Sequence, residues 1–186
     1  MFFGIDATYL YLVLPAVLFA LWAQFNVQST FSKYSKVKSH SGMTGYDSAR
    51  RILDANGLHN VGIARVAGNL TDHYNPKDNT IYLSDSVYGE TTAAAIGVAA
   101  HEAGHAVQHA VGYTPMKVRS AIIPVTQIGS NLAMPLFLLG IILSYPTLAM
   151  IGVIAFGAST LFQLVTLPVE FNASSRAMDA LRGYNL

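Results

Sequence analysis

The chain has 186 residues, 52% of them hydrophobic and 11% charged, and its mean hydropathy of +0.39 is high for a soluble globule. Its 11 basic against 10 acidic residues exclude a broadly basic nucleic-acid binder, so no nucleic-acid partner is expected. The absence of cysteine excludes disulfides and thiolate ligands, so any metal site must use His, Asp or Glu. The composition is that of a membrane protein.

No charge interrupts the chain from Ala7 to Ser32. The stretch YLYLVLPAVLFALWAQFNV is long enough to cross a bilayer as a helix, with Tyr9 and Trp22 suited to the interfaces, so residues 1–32 read as an amino-terminal transmembrane anchor. A cleaved signal peptide is the competing reading, but a basic n-region and a clear small-residue cleavage site are missing.

Residues 33–119 hold most of the charge and the turn formers, and read as a small polar α+β region between the apolar blocks. KYSKVKSHSGMTGYDSARRILDANGL begins as a polar linker and becomes a short helix, with Ala49, Ile52 and Leu53 at near-helical spacing and Asn56-Gly57 closing it. NLTDHYNPKDNTIYLS reads as strand, turn, strand, with turn chemistry at Asn75-Pro76-Lys77-Asp78-Asn79 and strand residues at Thr80, Ile81, Tyr82 and Leu83. That second strand is a candidate for binding substrate by edge pairing, a backbone-based mode that tolerates varied side chains. Tyr82 and Tyr88 read as packing residues. A helix follows over about 90–111, with Gly112 as its stop.

Between Arg119 and Glu170 lie fifty residues without a charge, broken near the middle by Ser144-Tyr145-Pro146. Each half rises roughly 30 Å or more as a helix, one hydrocarbon core, so residues 120–169 read as a transmembrane hairpin and the whole as three spans. Pro124 and Pro135 would kink the first arm, which bundle-packed membrane helices tolerate. The alternative is a helical hairpin buried in a soluble core. Lys33, Lys36, Lys38, Arg50 and Arg51 follow the first span, Lys117 and Arg119 precede the second, and Arg176 and Arg182 follow the third. The positive-inside rule then puts residues 33–119 and residues 170–186 on the cytoplasmic side and the amino terminus outside.

The chemistry lies in AAHEAGHAVQH, residues 99–109, where an alanine-rich helix carries a carboxylate and three imidazoles. Buried ionisable groups are costly unless they are paired or bind metal. His101 and His105, four apart, share a helix face and can present nitrogens to one ion, while Glu102 reaches beside it. This is the HExxH arrangement, two zinc ligands and a general base toward a zinc-activated water, which makes residues 33–119 the catalytic region. A catalytic zinc needs a third ligand. The extended motif with a third His fails, because Gln108 stands at its Gly position and Val111 at its His position. Of the three glutamates, Glu90, Glu102 and Glu170, only Glu170 follows the motif, and the topology puts it on the same side as HEAGH. Pro168 near a helix start, with Asn172, Ala173 and Arg176 around it, suggests a helix presenting Glu170.

HEAGHAVQHA, the upstream LTDHYNP with LS after it, and the downstream VEFNAS together make the chain resemble the YugP-type membrane zinc metallopeptidases. Three separated blocks match in order, and the resemblance covers nearly the whole chain. It implies a peptidase embedded in a membrane, here a bacterial cell membrane, using one Zn2+ on polypeptide substrates. Such proteins usually continue into another hydrophobic segment, so a truncated form or a natural deletion is expected and no fourth span is counted. More distantly, the chain is similar to membrane peptidases that pair HExxH with a later ExxxD, whose Asp supports a zinc-binding His. Glu170 fits the ligand, Ser174 stands at the Asp position, and Asn172 or Asp179 are alternative supports.

His73, Tyr74, His109 and Arg176 are candidate donors to the oxyanion. Each has a plainer reading: His73 with Asp72 as turn-adjacent polarity, His109 as a helix-end residue, Arg176 as a topology determinant. Two rival functions are an intramembrane zinc protease, since Thr91 to Met116 carries no charge but Glu102, and a non-catalytic scaffold stabilised by zinc. The first would be expected to bring an Asp ligand from a later span, and no Asp lies between Asp85 and Asp179. Small residues on the membrane helices permit a membrane-protein partner or a homo-oligomer.

Overall fold

A computed structural model describes residues 7–184. In chain order it contains α1 (Ala7–Tyr34), α2 (Gly45–Ala55), β1 (Gly62–Val66), β2 (His73–Asn75), β3 (Thr80–Ser84), α3 (Ala93–Ala110), α4 (Thr114–Ile142) and α5 (Pro146–Gly183). The protein is therefore mainly helical with one small sheet, as the composition and patterning predict.

The short elements follow local rules. Thr44 caps α2 in a reciprocal box: its hydroxyl accepts from the Asp47 amide, and the Asp47 carboxylate accepts from the Thr44 amide. Ala49, Ile52 and Leu53 are buried on one face, and Gly57 at φ +72° takes the left-handed position after the helix. In the turn between β2 and β3, the Asn75 side chain accepts from the Lys77 amide and Asn79 adopts φ +54°.

Strand order is β1-β3-β2, with β1 parallel and β2 antiparallel to β3. One strand is new here and one expectation changes. The five residues GIARV form a strand that their pattern does not announce. In addition, Thr80, Ile81, Tyr82 and Leu83 lie in the central strand, not at an edge, because β1 has come back to pair with its far side. Among the described residues, the outer strand of the sheet that lines the site is β2.

Helix α3 begins at Ala93, not Glu90, with Thr92 as cap. Glu90 and Thr91 instead extend as a segment whose carbonyls accept from the Gly45 and Ser39 amides. Alanines 95, 99, 100, 103 and 106 are buried, so α3 is a thin rod with protein on several sides: α2, α5 and the sheet pack against it. Ile81 and Leu83 from β3, Leu53 from α2, Met116 from α4 and Val169 from α5 complete the same core.

Two helices among the described residues are long and apolar enough to cross a membrane, α4 and α5, where the sequence suggested three. From Leu14 on, α1 carries Gln24, Asn26, Gln28, Ser29 and Thr30, which dilute its hydropathy, and the Tyr9 side chain lies outside the described residues. Ser144 at φ +50° and Pro146 at the first position of α5 make the predicted turn of the hairpin. Gly140 lies against Ala149 and Gly152 against Ala133 and Phe137, so two of the small residues serve close packing within the hairpin. Its outer faces expose Val125, Ile128, Ile154, Phe156 and Leu161, which argues against a buried soluble hairpin.

Neither Pro124 nor Pro135 ends α4. Pro168 does not start a new helix, since α5 runs through it unbroken. The segment 170–186 is thus, up to Gly183, the continuation of the second apolar helix, and one rigid rod carries Glu170 from the hairpin to α3.

Candidate metal centre

On α3 the imidazoles of His101 and His105 meet edge to face, with ring centroids 4.7 Å apart. From α5, one carboxylate oxygen of Glu170, Oε2, comes within 3.3 Å of His101 Nε2 and 3.4 Å of His105 Nε2. Ligand atoms of the three residues all lie within 4.8 Å of one another. Two ligands about 2.0–2.1 Å from a tetrahedral zinc stand about 3.3–3.4 Å apart, so both N···O separations fit a common ion.

The outer nitrogen of His105 decides which tautomer serves the site. Gln108 is fully buried, and its amide nitrogen donates to the Val169 carbonyl at 2.8 Å and to Asn172 Oδ1 at 3.0 Å. A carbonyl only accepts, so that end of the amide must be NH2, and Oε1 faces His105 Nδ1 at 3.0 Å. His105 therefore carries its proton on Nδ1 and offers a lone pair at Nε2. His101 Nδ1 meets Ser174 Oγ at 3.2 Å, so its Nε2 is the ring nitrogen that faces Glu170; a hydroxyl can donate or accept, and the His101 tautomer is not fixed by this contact. With the His101 proton also on Nδ1, two lone pairs and a carboxylate converge on one point and repel one another unless something positive stands between them. Consistently, the hydrogen bond to Glu170 holds the His101 imidazole above its usual range, against the effect of burial. The donor set fits zinc.

Glu102 is buried and lines the same cleft as His101, His105 and Glu170. Burial pushes its carboxyl above the ordinary carboxylate range, with His105 and His101 opposing the shift. Arg119, from the first turns of α4, binds the other oxygen of Glu170, Nη1 to Oε1 at 3.0 Å, and leaves Oε2 for the ion. The cavity measures about 250 Å³, and Asp72, His73, Tyr74, Met116 and Ser120 contribute to its lining.

The remaining candidates separate. His73 lies at the cleft, stacked on Tyr82 with centroids 5.0 Å apart, and its Nδ1 meets the Thr71 carbonyl at 2.9 Å. Tyr74 donates its hydroxyl proton to Asn79 Oδ1 or His109 Nδ1, each 2.7 Å away, and burial raises the phenol to about 12. His109 is thus tied to β2 and is not among the residues lining the cleft. Arg176 lies apart from the cleft: its Nε donates to Asn172 Oδ1 at 2.8 Å, and it lines a different cavity between α2, α3 and α5. Asn172 supports Gln108 and makes no bond to a histidine, and Asp179 lines the same second cavity. Of the three candidates to support a zinc-binding His, Ser174 alone touches one. Sequence reasoning missed Gln108 and Arg119. For Arg119 a signal existed, since it and Glu170 are the charges that bracket the uncharged run.

Two histidines one helical turn apart, a carboxylate from another helix and a buried glutamate beside them are the residue set that HExxH zinc hydrolases use. The family described as "Putative neutral zinc metallopeptidase" matches residues 9–186, and the chain belongs to that family. It is 49% identical over 169 residues, 91% of its own length and 75% of the relative's, to the "Putative membrane protease YugP" of Bacillus subtilis (strain 168). No solved structure matches the chain.

Proposed function

We propose that this chain is a membrane-embedded peptidase that hydrolyses peptide bonds in polypeptides, with one zinc held by His101, His105 and Glu170 and with Glu102 as general base. The observation that carries the reading is the approach of Glu170 Oε2 to both Nε2 atoms while Ser174 and Gln108 occupy the opposite nitrogens. Zinc bound there supplies Lewis-acid polarisation of a peptide carbonyl and lowers the pKa of water. Glu102 accepts the proton of the attacking water and returns it to the leaving amine. A carboxyl whose pKa is raised by burial is the better base for that work. His73 stays a candidate for contact with substrate, and the outer edge of β2 is the place for a substrate backbone to pair.

The hairpin of α4 and α5 anchors the enzyme in the membrane, and the basic residues around it favour a cytoplasmic site. The intramembrane alternative is disfavoured because α3 packs against α2, α5 and the sheet, and the uncharged run of the α4–α5 hairpin lies apart from it in sequence. To separate a peptidase from a zinc-stabilised scaffold, the full chain is purified in detergent and assayed for bound zinc and for cleavage of a labelled unfolded polypeptide. Glu102→Gln is expected to keep zinc and lose cleavage by about 10²-fold or more, and Glu170→Gln to lose zinc. Equal hydrolysis by wild type and Glu102→Gln rejects the peptidase reading.

A further inference from the structure

The cleft that holds the proposed zinc ligands has two walls of different origin. One is β2 and its approach, Asp72 to Pro76; the other is the start of α4, through Met116, Arg119, Ser120 and Ile123. Arg119 is the last charge before the uncharged run and Glu170 the first after it, and the two pair at 3.0 Å. One ion pair therefore closes the apolar hairpin and supplies a ligand to the metal centre.

This fixes the depth of the site. At 1.5 Å per residue the arm from Ser120 to Ile142 rises about 34 Å and that from Pro146 to Val169 about 36 Å, against a hydrocarbon core of about 30 Å. With only a few ångströms to spare, the Arg119–Glu170 pair stands at the edge of the hydrocarbon, within an interfacial layer about 5–8 Å thick. Charges are held out of the hydrocarbon itself by their desolvation cost. Ser120 and Ile123 line the cleft from inside the uncharged run, so the mouth of the site opens at the headgroup level and not out in the aqueous domain. The cavity measures about 250 Å³, near the lower end of the range for ligand pockets.

We infer that the substrates of this site, read as a peptidase anchored by α4 and α5, are polypeptide segments that directly flank a membrane span. An extended chain advances about 3.3 Å per residue. A segment leaving a neighbouring span thus crosses the interfacial layer in about two to four residues, at the height of the cleft, where the outer edge of β2 offers a backbone to pair with. Segments held far above the bilayer do not reach the ligands.

The test uses the full chain in proteoliposomes with two single-span substrates. Each carries the same unstructured segment of mixed sequence, placed either directly after the span or beyond a rigid helical spacer of about 20 residues, which lifts it about 30 Å. Both substrates are anchored, so their surface concentrations match. The flanking segment is expected to be cut at least tenfold faster, at peptide bonds within about six residues of the span. Equal rates, or a faster cut in the lifted segment, overturn the inference and leave the peptidase reading standing. Cuts inside the span overturn it in favour of intramembrane proteolysis. Cleavage of neither substrate, with zinc bound, removes both readings, and Glu102→Gln controls for contaminating protease in every arm.

Discussion

Ser174 Oγ lies 3.2 Å from His101 Nδ1, one turn of α5 beyond Glu170. A single helix thereby supplies a carboxylate to the proposed ion and a hydroxyl that orients one of its imidazole ligands. A hydroxyl accepts an imidazole N–H more weakly than a carboxylate does, and groups behind a metal ligand are commonly worth about 10–100-fold in affinity. Ser174→Ala should weaken zinc binding about tenfold with the fold intact, and Ser174→Asp should tighten it. Competition with a chelating dye reads both. Unchanged affinity in Ser174→Ala and Ser174→Asp would remove Ser174 from the site.

Gln108 links three partners in the buried layer between α3 and α5: His105, the Val169 carbonyl and Asn172. Gln108→Leu removes the acceptor for the His105 proton and the donor to a buried carbonyl, and each buried group left unpaired costs about 1–3 kcal/mol. The expected result is a lower melting temperature together with weaker zinc binding. Gln108→Glu keeps the acceptor but loses the amide donor, so it should recover zinc binding better than stability. If the two variants fall equally in both measurements, Gln108 serves packing alone.

Gly104 lies where α3 crosses α5, and a Cβ there would stand 2.7 Å from the Ala173 carbonyl oxygen. Backbone cannot yield as a flexible side chain can, so the helices must separate, and overpacking of this kind costs about 1–3 kcal/mol. The crossing also sets the distance from Glu170 to the two histidines. Gly104→Val should therefore lose zinc affinity beyond its loss of stability, seen as a smaller rise in melting temperature on adding zinc. A full zinc response in Gly104→Val would uncouple the crossing from the metal centre.

Much of the candidate centre was legible because its parts obey local or combinatorial rules. His101 and His105 share a face by helical period, and Glu170 is the one glutamate after the motif. The turn at Ser144-Tyr145-Pro146 and the end of α2 at Asn56-Gly57 are marked by residues whose backbone preferences stop a helix. What escaped depends on contacts far along the chain. Gln108 finds its partners on α5, more than sixty residues away, and Thr80–Ser84 becomes a central strand only because Gly62–Val66 returns beside it. No window around either segment contains that information. Pro168 misled for a different reason: proline marks a helix start in water, whereas a long apolar helix can carry it internally.

Acidity should act on the centre through His101. The hydrogen bond to Glu170 raises this imidazole above its unfolded value of about 6.5, with burial opposing. In the metal-free protein, a raised histidine pKa contributes stability that is full below the unfolded value and is lost as pH rises through the folded one. Zinc needs the same nitrogen without its proton, so its affinity rises over that same interval. Two opposite trends are expected as pH rises from the unfolded value of about 6.5 through the raised folded one: the metal-free melting temperature loses the His101 contribution, and the increment from a fixed zinc concentration grows. Glu170→Gln should flatten the first trend, since the imidazole loses its anionic partner, and abolish most of the second. The check is a thermal-unfolding series of the full chain in detergent, with chelator or zinc, for wild type and variant. A zinc increment independent of pH across this interval would mean that His101 gives up no proton on binding and stands outside the ligand set.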